Sequence, residues 1–242
     1  MPSLLGLSAQ VQARRIWRGV AGRARQGVLR ICVRPRKHGR TLIRLGTDYG
    51  GWWVPDGIAG PGTIAYCGGA GEDISFDLAL FARGCTVRVF DPTPRAIAHV
   101  KACDPQSDRF TFVPVGWWSR DDSLKFYVPA DARHVSHSVV NLQGTDEHFV
   151  ARVRPIRALM SELGDDRVDL IKMDIEGAER EVLSVLLQEG PIPEVLCVEF
   201  DQPCSIWSIV KVTRQLKRRG LLLLKIEGWN ATYMQSLVDA PA

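Results

Sequence analysis

The chain has 242 residues, of which 45% are hydrophobic and 24% are charged. This length and composition predict a globular protein with a substantial core, and they exclude a disordered chain, a collagen-like repeat and a polytopic membrane protein. The net charge of +4 is unevenly distributed, because eleven Lys and Arg and no acidic residue precede Asp48, which leaves 20 basic against 27 acidic residues in 48–242.

The basic N-terminal arm is the first predicted segment, at 1–47, and the folded domain follows at 48–242. An arm of this composition could contact nucleic acid, anionic lipid or an acidic partner. It could equally be a solvated terminal segment that docks only loosely on the domain.

The cysteines and the longest apolar runs indicate the cellular compartment that we expect for the protein. The six cysteines form no Cys-x-x-Cys pair, and several lie in apolar runs such as 195–198. This usage is typical of reduced core cysteines in a cytosolic protein and predicts no metal site of zinc type. No run approaches the roughly 20 apolar residues that a membrane span requires. We therefore expect a cytoplasmic protein without a transmembrane segment.

Strand and helix signals alternate steadily from Thr63 onward. The pattern predicts strands at 63–67, 85–90, 110–115, 168–173, 194–200 and 221–226, with an antiparallel edge strand at 232–237. Helices are predicted between them at 73–83, 94–103, 156–163, 177–188 and 205–219. Such alternation predicts an α/β fold with a mostly parallel sheet and helices on both faces. Residues 116–155 break the rhythm, with short strands at 124–128 and 136–140, and predict an inserted lid beside the site.

A glycine turn follows the first of these strands and leads directly into a helix. Gly69, Ala70 and Gly71 form this turn, where a ligand can approach the backbone and the free N–H groups of the helix. Asp91 stands twenty residues after Gly71, at the end of the next strand, where an acceptor for ribose hydroxyls is expected. Ile74 occupies the third fingerprint position in place of glycine, which disfavours a dinucleotide.

Two acidic residues, Glu72 and Asp73, begin the helix after the glycine turn. They would repel a pyrophosphate and suit a cationic group, such as the amino group or sulfonium of S-adenosylmethionine. The alternative is that they only complement the positive end of the helix dipole.

A second polar cluster follows the buried strand at 168–173. Asp174 and Glu176 come at its carboxyl end, where ligands bind in an open α/β sheet, so we expect them to share a crevice with Gly69, Gly71 and Asp91. Asp174 could instead cap the following helix.

Four motifs in this order resemble FkbM-type S-adenosylmethionine-dependent methyltransferases across residues 63–226. They are Gly69-Ala-Gly-Glu-Asp-Ile-Ser-Phe-Asp77, Phe90-Asp-Pro-Thr-Pro94, His134-Val-Ser-His-Ser138 and Asp169-Leu-Ile-Lys-Met-Asp-Ile-Glu-Gly-Ala-Glu179. The resemblance implies a class I Rossmann-like domain. It also implies a cofactor site, which we predict to include residues 69–73, Asp91, Pro92 and Asp174. The chain departs from the wider pattern at Cys67, Asp73 and Asp201, where relatives usually have an acidic residue, a glycine and a histidine.

Methyl transfer requires an oriented nucleophile and, for a hydroxyl, a base. The candidate bases are His137, which titrates in the useful range, and the carboxylates of Asp174, Glu176 and Glu199. A less favoured alternative is a Mg²⁺ site built from Asp174, Glu199 and Asp201. The tryptophan pairs at 52–53 and 117–118 could line a sugar or aromatic ligand, or pack the lid.

The resulting expectation is O-methylation of a small molecule, glycan or natural-product intermediate, with the O-selectivity implied by the resemblance alone. The alternatives are an RNA methyltransferase that uses the basic arm and a non-catalytic nucleotide-binding module. The pattern indicates neither the acceptor nor the oligomeric state.

Overall fold

A computed structural model describes residues 25–36, 39–103, 105–128, 145–200 and 204–236. The elements, in chain order, are α1 (25–32), β1 (Leu42–Leu45), β2 (Trp52–Pro55), β3 (Ile64–Gly68), α2 (Ser75–Ala82), β4 (Thr86–Phe90), α3 (Pro94–Cys103), β5 (Phe110–Val113), β6 (Gly116–Trp117), β7 (Asp122–Tyr127), β8 (His148–Arg154), α4 (Ile156–Leu163), β9 (Leu170–Met173), α5 (Glu179–Gln188), β10 (Val195–Glu199), α6 (Ile206–Arg218), β11 (Leu221–Glu227) and β12 (Asn230–Gln235).

The centre of the fold is a seven-stranded sheet in the order β11-β12-β10-β9-β3-β4-β5. Strands β3, β4, β5, β9 and β10 pair in parallel, and β12 is antiparallel to both of its neighbours. The strands β9 and β10 are buried almost throughout, because helices cover both faces of a parallel sheet. The predicted mostly parallel sheet is therefore confirmed.

The position of the last strand was predicted wrongly. β12 is antiparallel as expected, but it lies between β10 and β11, and β11 forms the edge of the sheet. The cause is a tight hairpin at Gly228, whose φ of +61° turns the chain straight back from β11. Four consecutive residues of β12, from Ala231 to Met234, are buried on the two faces of the sheet, as an interior strand requires.

Helices lie on both faces of the sheet, as predicted. On one face, α2 and α3 contribute Phe76, Leu80 and Val100 to a core cluster. On the other, α1, α4, α5 and α6 contribute to a second cluster. No helix in the described ranges is both long enough and apolar enough to span a bilayer.

The strand signals did not predict the hairpin formed by β1 and β2, whose first strand lies within the segment assigned to the basic arm. The two strands pair antiparallel, with Leu45 opposite Trp52. Leu45, Trp52 and Val54 are buried in the same cluster as Phe76 of α2. The loop of this hairpin, residues 46–51, reaches the carboxyl edge of the central sheet.

A small three-stranded sheet, in the order β6-β8-β7, occupies the segment predicted as a lid at 116–155. The predicted strand at 124–128 corresponds to β7, which pairs antiparallel with β8. The sequence pattern did not predict β8, which alternates between exposed and partly buried residues from His148 to Arg152 and then buries Val153. The predicted strand at 136–140 lies outside the described residues.

Candidate active site

A cavity of about 360 Å³ opens at the carboxyl edge of the central sheet. It lies where β3 and β9 are neighbours and the strand order reverses, which is the usual ligand position in open α/β sheets. Its wall includes the predicted residues Gly69, Ala70, Gly71, Glu72, Asp73, Asp91, Pro92, Asp174, Glu176 and Glu199. His137, the remaining predicted site residue, lies outside the described residues.

The glycine turn forms the floor of the cavity where β3 ends. Gly69 has a φ of +82°, and a Cβ at this position would collide with the carbonyl oxygen of Asp174. The Gly69 N–H donates to the Phe90 carbonyl at 2.9 Å. The turn therefore needs glycine both for its backbone conformation and for the close approach of the chain after β9.

Asp91 holds the glycine turn through its carboxylate. Its Oδ2 accepts the N–H groups of Ala70 at 2.9 Å and of Gly71 at 3.0 Å, and its Oδ1 accepts the N–H of Thr93 at 2.8 Å. A carboxylate has about four acceptor directions, so these three bonds leave capacity for one more partner. Asp91 thus supports the turn and still lines the cavity.

The two acidic residues after the glycine turn have different partners. Glu72 forms an ion pair with Arg95 at 2.8 Å. Asp73 accepts the Thr47 hydroxyl at 2.5 Å and the Ser75 N–H at 2.9 Å. Burial raises the pKa of Asp73, but the hydrogen bonds from Ser75, Thr47 and Gly50 outweigh it and lower the pKa overall. Asp73 is therefore a carboxylate that anchors the start of α2 and the hairpin loop.

Tyr49, in the hairpin loop, stands over the mouth of the cavity. No sequence signal singled out this residue, because its place at the cavity depends on how the hairpin loop packs against the edge of the sheet. Its ring is 80% exposed. Partial burial of the hydroxyl raises the pKa of Tyr49, and so do the surrounding carboxylates of Asp174, Glu176, Glu199 and Asp73. The surrounding carboxylates therefore place negative charge around the mouth of the cavity.

A buried polar cluster lies beneath the glycine turn. Lys172, only 4% exposed, donates to the Gly69 carbonyl and lies 3.6 Å from Oδ2 of Asp174. Burial lowers the pKa of Lys172, but the negative charges of Asp174 and Asp77 more than compensate and raise it. Burial raises the pKa of Asp77 and of Cys67, while Lys172 opposes both shifts. Lys172 is thus held as a buried cation that joins the turns after β3 and β9.

The turn after β9 is shaped by Glu179, whose carboxylate accepts the N–H of Gly177 at 3.1 Å and of Ile175 at 3.3 Å. Glu176 has a φ of +50°, an unusual conformation for a residue with a side chain. Such backbone strain persists where the surrounding structure imposes it, as here. The motif at 169–179 contains Glu179, but its spacing does not show that the carboxylate folds back onto the turn.

The tryptophan pairs serve mainly in packing. Trp52 is buried under the hairpin, and Lys225 lies 3.5 Å from the ring centroid of Trp53. Trp117 of β6 is buried beside Phe90 and forms part of the cavity wall. Trp118 packs against the same core cluster, which contains Trp117 and Phe90.

The metal alternative has no support among the described residues, in which no group of three His, Cys, Asp or Glu side chains is placed to hold an ion. Asp201, one of the three proposed ligands, lies outside the described residues.

Several solved structures share similarity with this chain over most of its length. A TehB-like SAM-dependent methyltransferase from Corynebacterium glutamicum is 17% identical, with a TM-score of 0.40 over 75% of this chain and 84% of that one. Methanococcus jannaschii fibrillarin, a pre-rRNA processing protein, is 11% identical, with a TM-score of 0.43 over 84% and 86%. Aeropyrum pernix fibrillarin with natively bound S-adenosyl-L-methionine is 9% identical, with a TM-score of 0.39 over 85% and 86%. No curated protein matches the chain.

The profile of one protein family covers more than half of the chain. The methyltransferase FkbM domain matches residues 63–213, which run from the start of β3 into α6 and include the cavity residues of β3, β4, β9 and β10. The class I Rossmann-like fold expected from the four motifs is confirmed by the strand order. The chain belongs to the methyltransferase FkbM domain family.

Proposed function

We propose that this protein transfers a methyl group from S-adenosylmethionine to a hydroxyl group of a small molecule or glycan. The observation that carries the proposal is a single cavity in which the glycine turn and Asp91 face the carboxylates of Asp174, Glu176 and Glu199. The proposed cofactor site and the candidate bases therefore line the same cavity.

The residues of the cavity fit this cofactor. A volume of about 360 Å³ lies within the range of roughly 300–1,000 Å³ for small-molecule sites. The glycine turn lets the cofactor approach the backbone, and Asp91 has capacity for a ribose hydroxyl. We assign cofactor binding to residues 69–73, Asp91, Pro92 and Asp174, whose carboxylate would attract a cationic group of the cofactor.

S-adenosylmethionine supplies an electrophilic methyl group on a sulfonium, which the negative potential of the cavity would stabilise. The same potential opposes the ionisation of an acceptor hydroxyl, as it does for the hydroxyl of Tyr49. We therefore infer that the proton leaves during the transfer and is accepted by a carboxylate of Asp174, Glu176 or Glu199, or by His137.

The acceptor is expected to be neutral or cationic. Carboxylates surround the mouth of the cavity, and they would repel the phosphates of RNA, so the potential disfavours a nucleic-acid acceptor. The exposed ring of Tyr49 offers an apolar surface on which a small molecule or sugar could stack.

Calorimetric titration with S-adenosylmethionine and S-adenosylhomocysteine tests the cofactor first. We expect saturable binding of both, and Asp91→Ala should weaken it about tenfold or more, because the glycine turn loses the two charge-assisted hydrogen bonds that Ala70 and Gly71 donate to Asp91. Asp108→Ala, which removes an exposed carboxylate, is the matched control, and NAD is the ligand control. No binding by the folded protein would contradict the proposal.

Methyl transfer is then measured with a panel of hydroxyl-bearing and amine-bearing acceptors and S-adenosylmethionine labelled on its methyl group. The product should carry the label on oxygen. Transfer only to nitrogen or to RNA would overturn the assignment of the acceptor, and binding without transfer across the panel would favour a non-catalytic module.

A further inference from the structure

The outward side of α6 is strongly basic. Residues 204–220 include no Asp or Glu, and neither does the described segment 25–36 that contains α1. Trp207, Lys211, Arg214 and Arg218 recur at intervals of four, three and four residues, so they form one stripe along the helix. Among the described residues, none of the three cations in this stripe has an ion-pair partner.

Exposed hydrophobic side chains accompany these charges. Five large hydrophobic residues are exposed in the described part of the chain, and three of them belong to α1 and α6. Val28 is 48% exposed, Ile31 is 69% exposed and Trp207 is 72% exposed. Each leaves an apolar surface in water on a segment where the remaining exposed side chains are mostly basic or polar.

The two helices lie on the same side of the molecule. Leu29 of α1 packs in the same core cluster as Ile209 and Leu216 of α6. The guanidinium of Arg25 also donates to the carbonyl of Cys204, just before α6, at 2.6 Å. Both helices bury their inward sides in this cluster, which covers one face of the sheet, so their outward sides belong to the surface on that side of the molecule. We call this surface the basic face, defined by Val28, Ile31, Trp207, Lys211, Arg214 and Arg218.

We propose that the basic face docks this protein on a bilayer that contains anionic lipids. Cations without ion-pair partners complement the charge of the headgroups, and the side chains of Ile31 and Trp207 can enter the boundary between headgroups and acyl chains. Nucleic acid is the competing occupant, since it also attracts cations and stacks on aromatic rings. The exposed aliphatic side chains of Val28 and Ile31 favour the bilayer, because they can neither hydrogen-bond to a phosphate nor stack on a base as an aromatic ring does.

Co-sedimentation of the full-length protein with vesicles tests this proposal. The probes are vesicles of phosphatidylcholine alone and of an equal mixture of phosphatidylcholine and phosphatidylglycerol. We expect binding to the mixed vesicles only, and we expect salt to weaken it. Arg214→Glu/Arg218→Glu and, separately, Ile31→Ser/Trp207→Ser should each lower the partition coefficient about tenfold or more.

Matched controls distinguish the contribution of the basic face to vesicle binding from the contributions of overall net charge and of the N-terminal segment. Lys101→Glu/Lys125→Glu changes the net charge by the same amount at exposed positions elsewhere, and Val150→Ser removes an exposed aliphatic side chain. All variants retain residues 1–24, so binding carried by that segment alone would be equal in all of them. Circular dichroism and urea unfolding verify that each variant is folded.

Three results would overturn the proposal. The first is equal binding of the basic-face variants, the controls and the unmodified protein. The second is equal binding to neutral and anionic vesicles. The third is tighter binding to polyuridylate than to anionic vesicles, lost in the same basic-face variants, which would assign the surface to nucleic acid. None of these results bears on methyl transfer, so the two proposals fail independently.

Discussion

The hydroxyl of Thr47 donates to Asp73 at 2.5 Å and thereby ties the loop between β1 and β2 to the segment that follows the glycine turn. The backbone N–H of Thr47 adds a bond to the Ser75 hydroxyl at 2.8 Å. This contact fixes Tyr49 over the mouth of the cavity. The loop is therefore the part of the wall that depends most on a few polar contacts.

Thr47→Val should loosen this loop. The substitution keeps the shape of the side chain and removes the hydroxyl, leaving one oxygen of Asp73 without its donor. We expect a loss of about 1–2 kcal/mol in the free energy of unfolding and faster release of S-adenosylhomocysteine in stopped-flow measurements. Thr47→Ser, which retains the hydroxyl, is the control. Equal release rates for the two variants would show that the bond does not hold the loop.

Gly69→Ala should abolish cofactor binding. The φ of +82° alone costs a residue with a side chain about 1–3 kcal/mol, and the new methyl group would also collide with the Asp174 carbonyl. Gly60→Ala is the matched control, because a Cβ there meets no atom within 4 Å. Calorimetry should detect binding by Gly60→Ala only. Unchanged affinity in Gly69→Ala would mean that the turn is not the cofactor floor.

Lys172 and Asp77 should be energetically coupled. Lys172→Met removes the positive charge that stabilises the buried carboxylate of Asp77. Asp77→Asn removes one of the two carboxylates that stabilise the protonated form of Lys172. Each single change should cost about 3–5 kcal/mol in urea unfolding, and the double variant should cost less than the sum by more than about 0.5 kcal/mol. Additive losses of unfolding free energy would show that Lys172 and Asp77 do not interact.

Stability should fall at alkaline pH, in part because of Cys197. Burial raises the pKa of this thiol from 9.0 to about 12, so it remains protonated in the folded state while the unfolded thiol ionises. Its contribution is complete below pH 9 and is lost as the pH rises toward 12. From pH 9 to pH 10, urea unfolding should show a loss about 1 kcal/mol smaller for Cys197→Ala than for the exposed-site control Cys32→Ala. Parallel pH curves for these two variants would contradict the expectation.

Substitution of the catalytic base should lower turnover. For Glu176, Glu199 and His137, which we do not assign to the cofactor, it should leave cofactor affinity nearly intact. Among Asp174→Asn, Glu176→Gln, Glu199→Gln and His137→Ala, one variant should lose about 10²–10⁴-fold in kcat. The limb of the kcat–pH profile that reports ionisation of this base should shift as well. Uniform and small effects across all four would mean that proximity and desolvation carry the rate without a base.

Local signals in the sequence were sufficient to predict the parallel strands of the central sheet and most of the residues that line the cavity, but not the interior position of β12. Apolar runs specify β3, β4, β9 and β10, and their carboxyl ends must meet in a parallel sheet. The role of Tyr49 required knowledge of how a distant hairpin packs. The function of Asp91 in holding the turn depends on a side-chain direction that residue spacing does not encode.

The position of β12 has a consequence for the synthesis of the protein. Residues 230–235 lie between β10 and β11, although both of these strands precede them in the chain. While the ribosome is still making residue 229, β11 has no neighbour in the sheet and β10 has an open edge. The parallel strands that line the cavity can pair before β12 is made. The seven-stranded sheet is complete only when β12 inserts between β10 and β11, which have already been made.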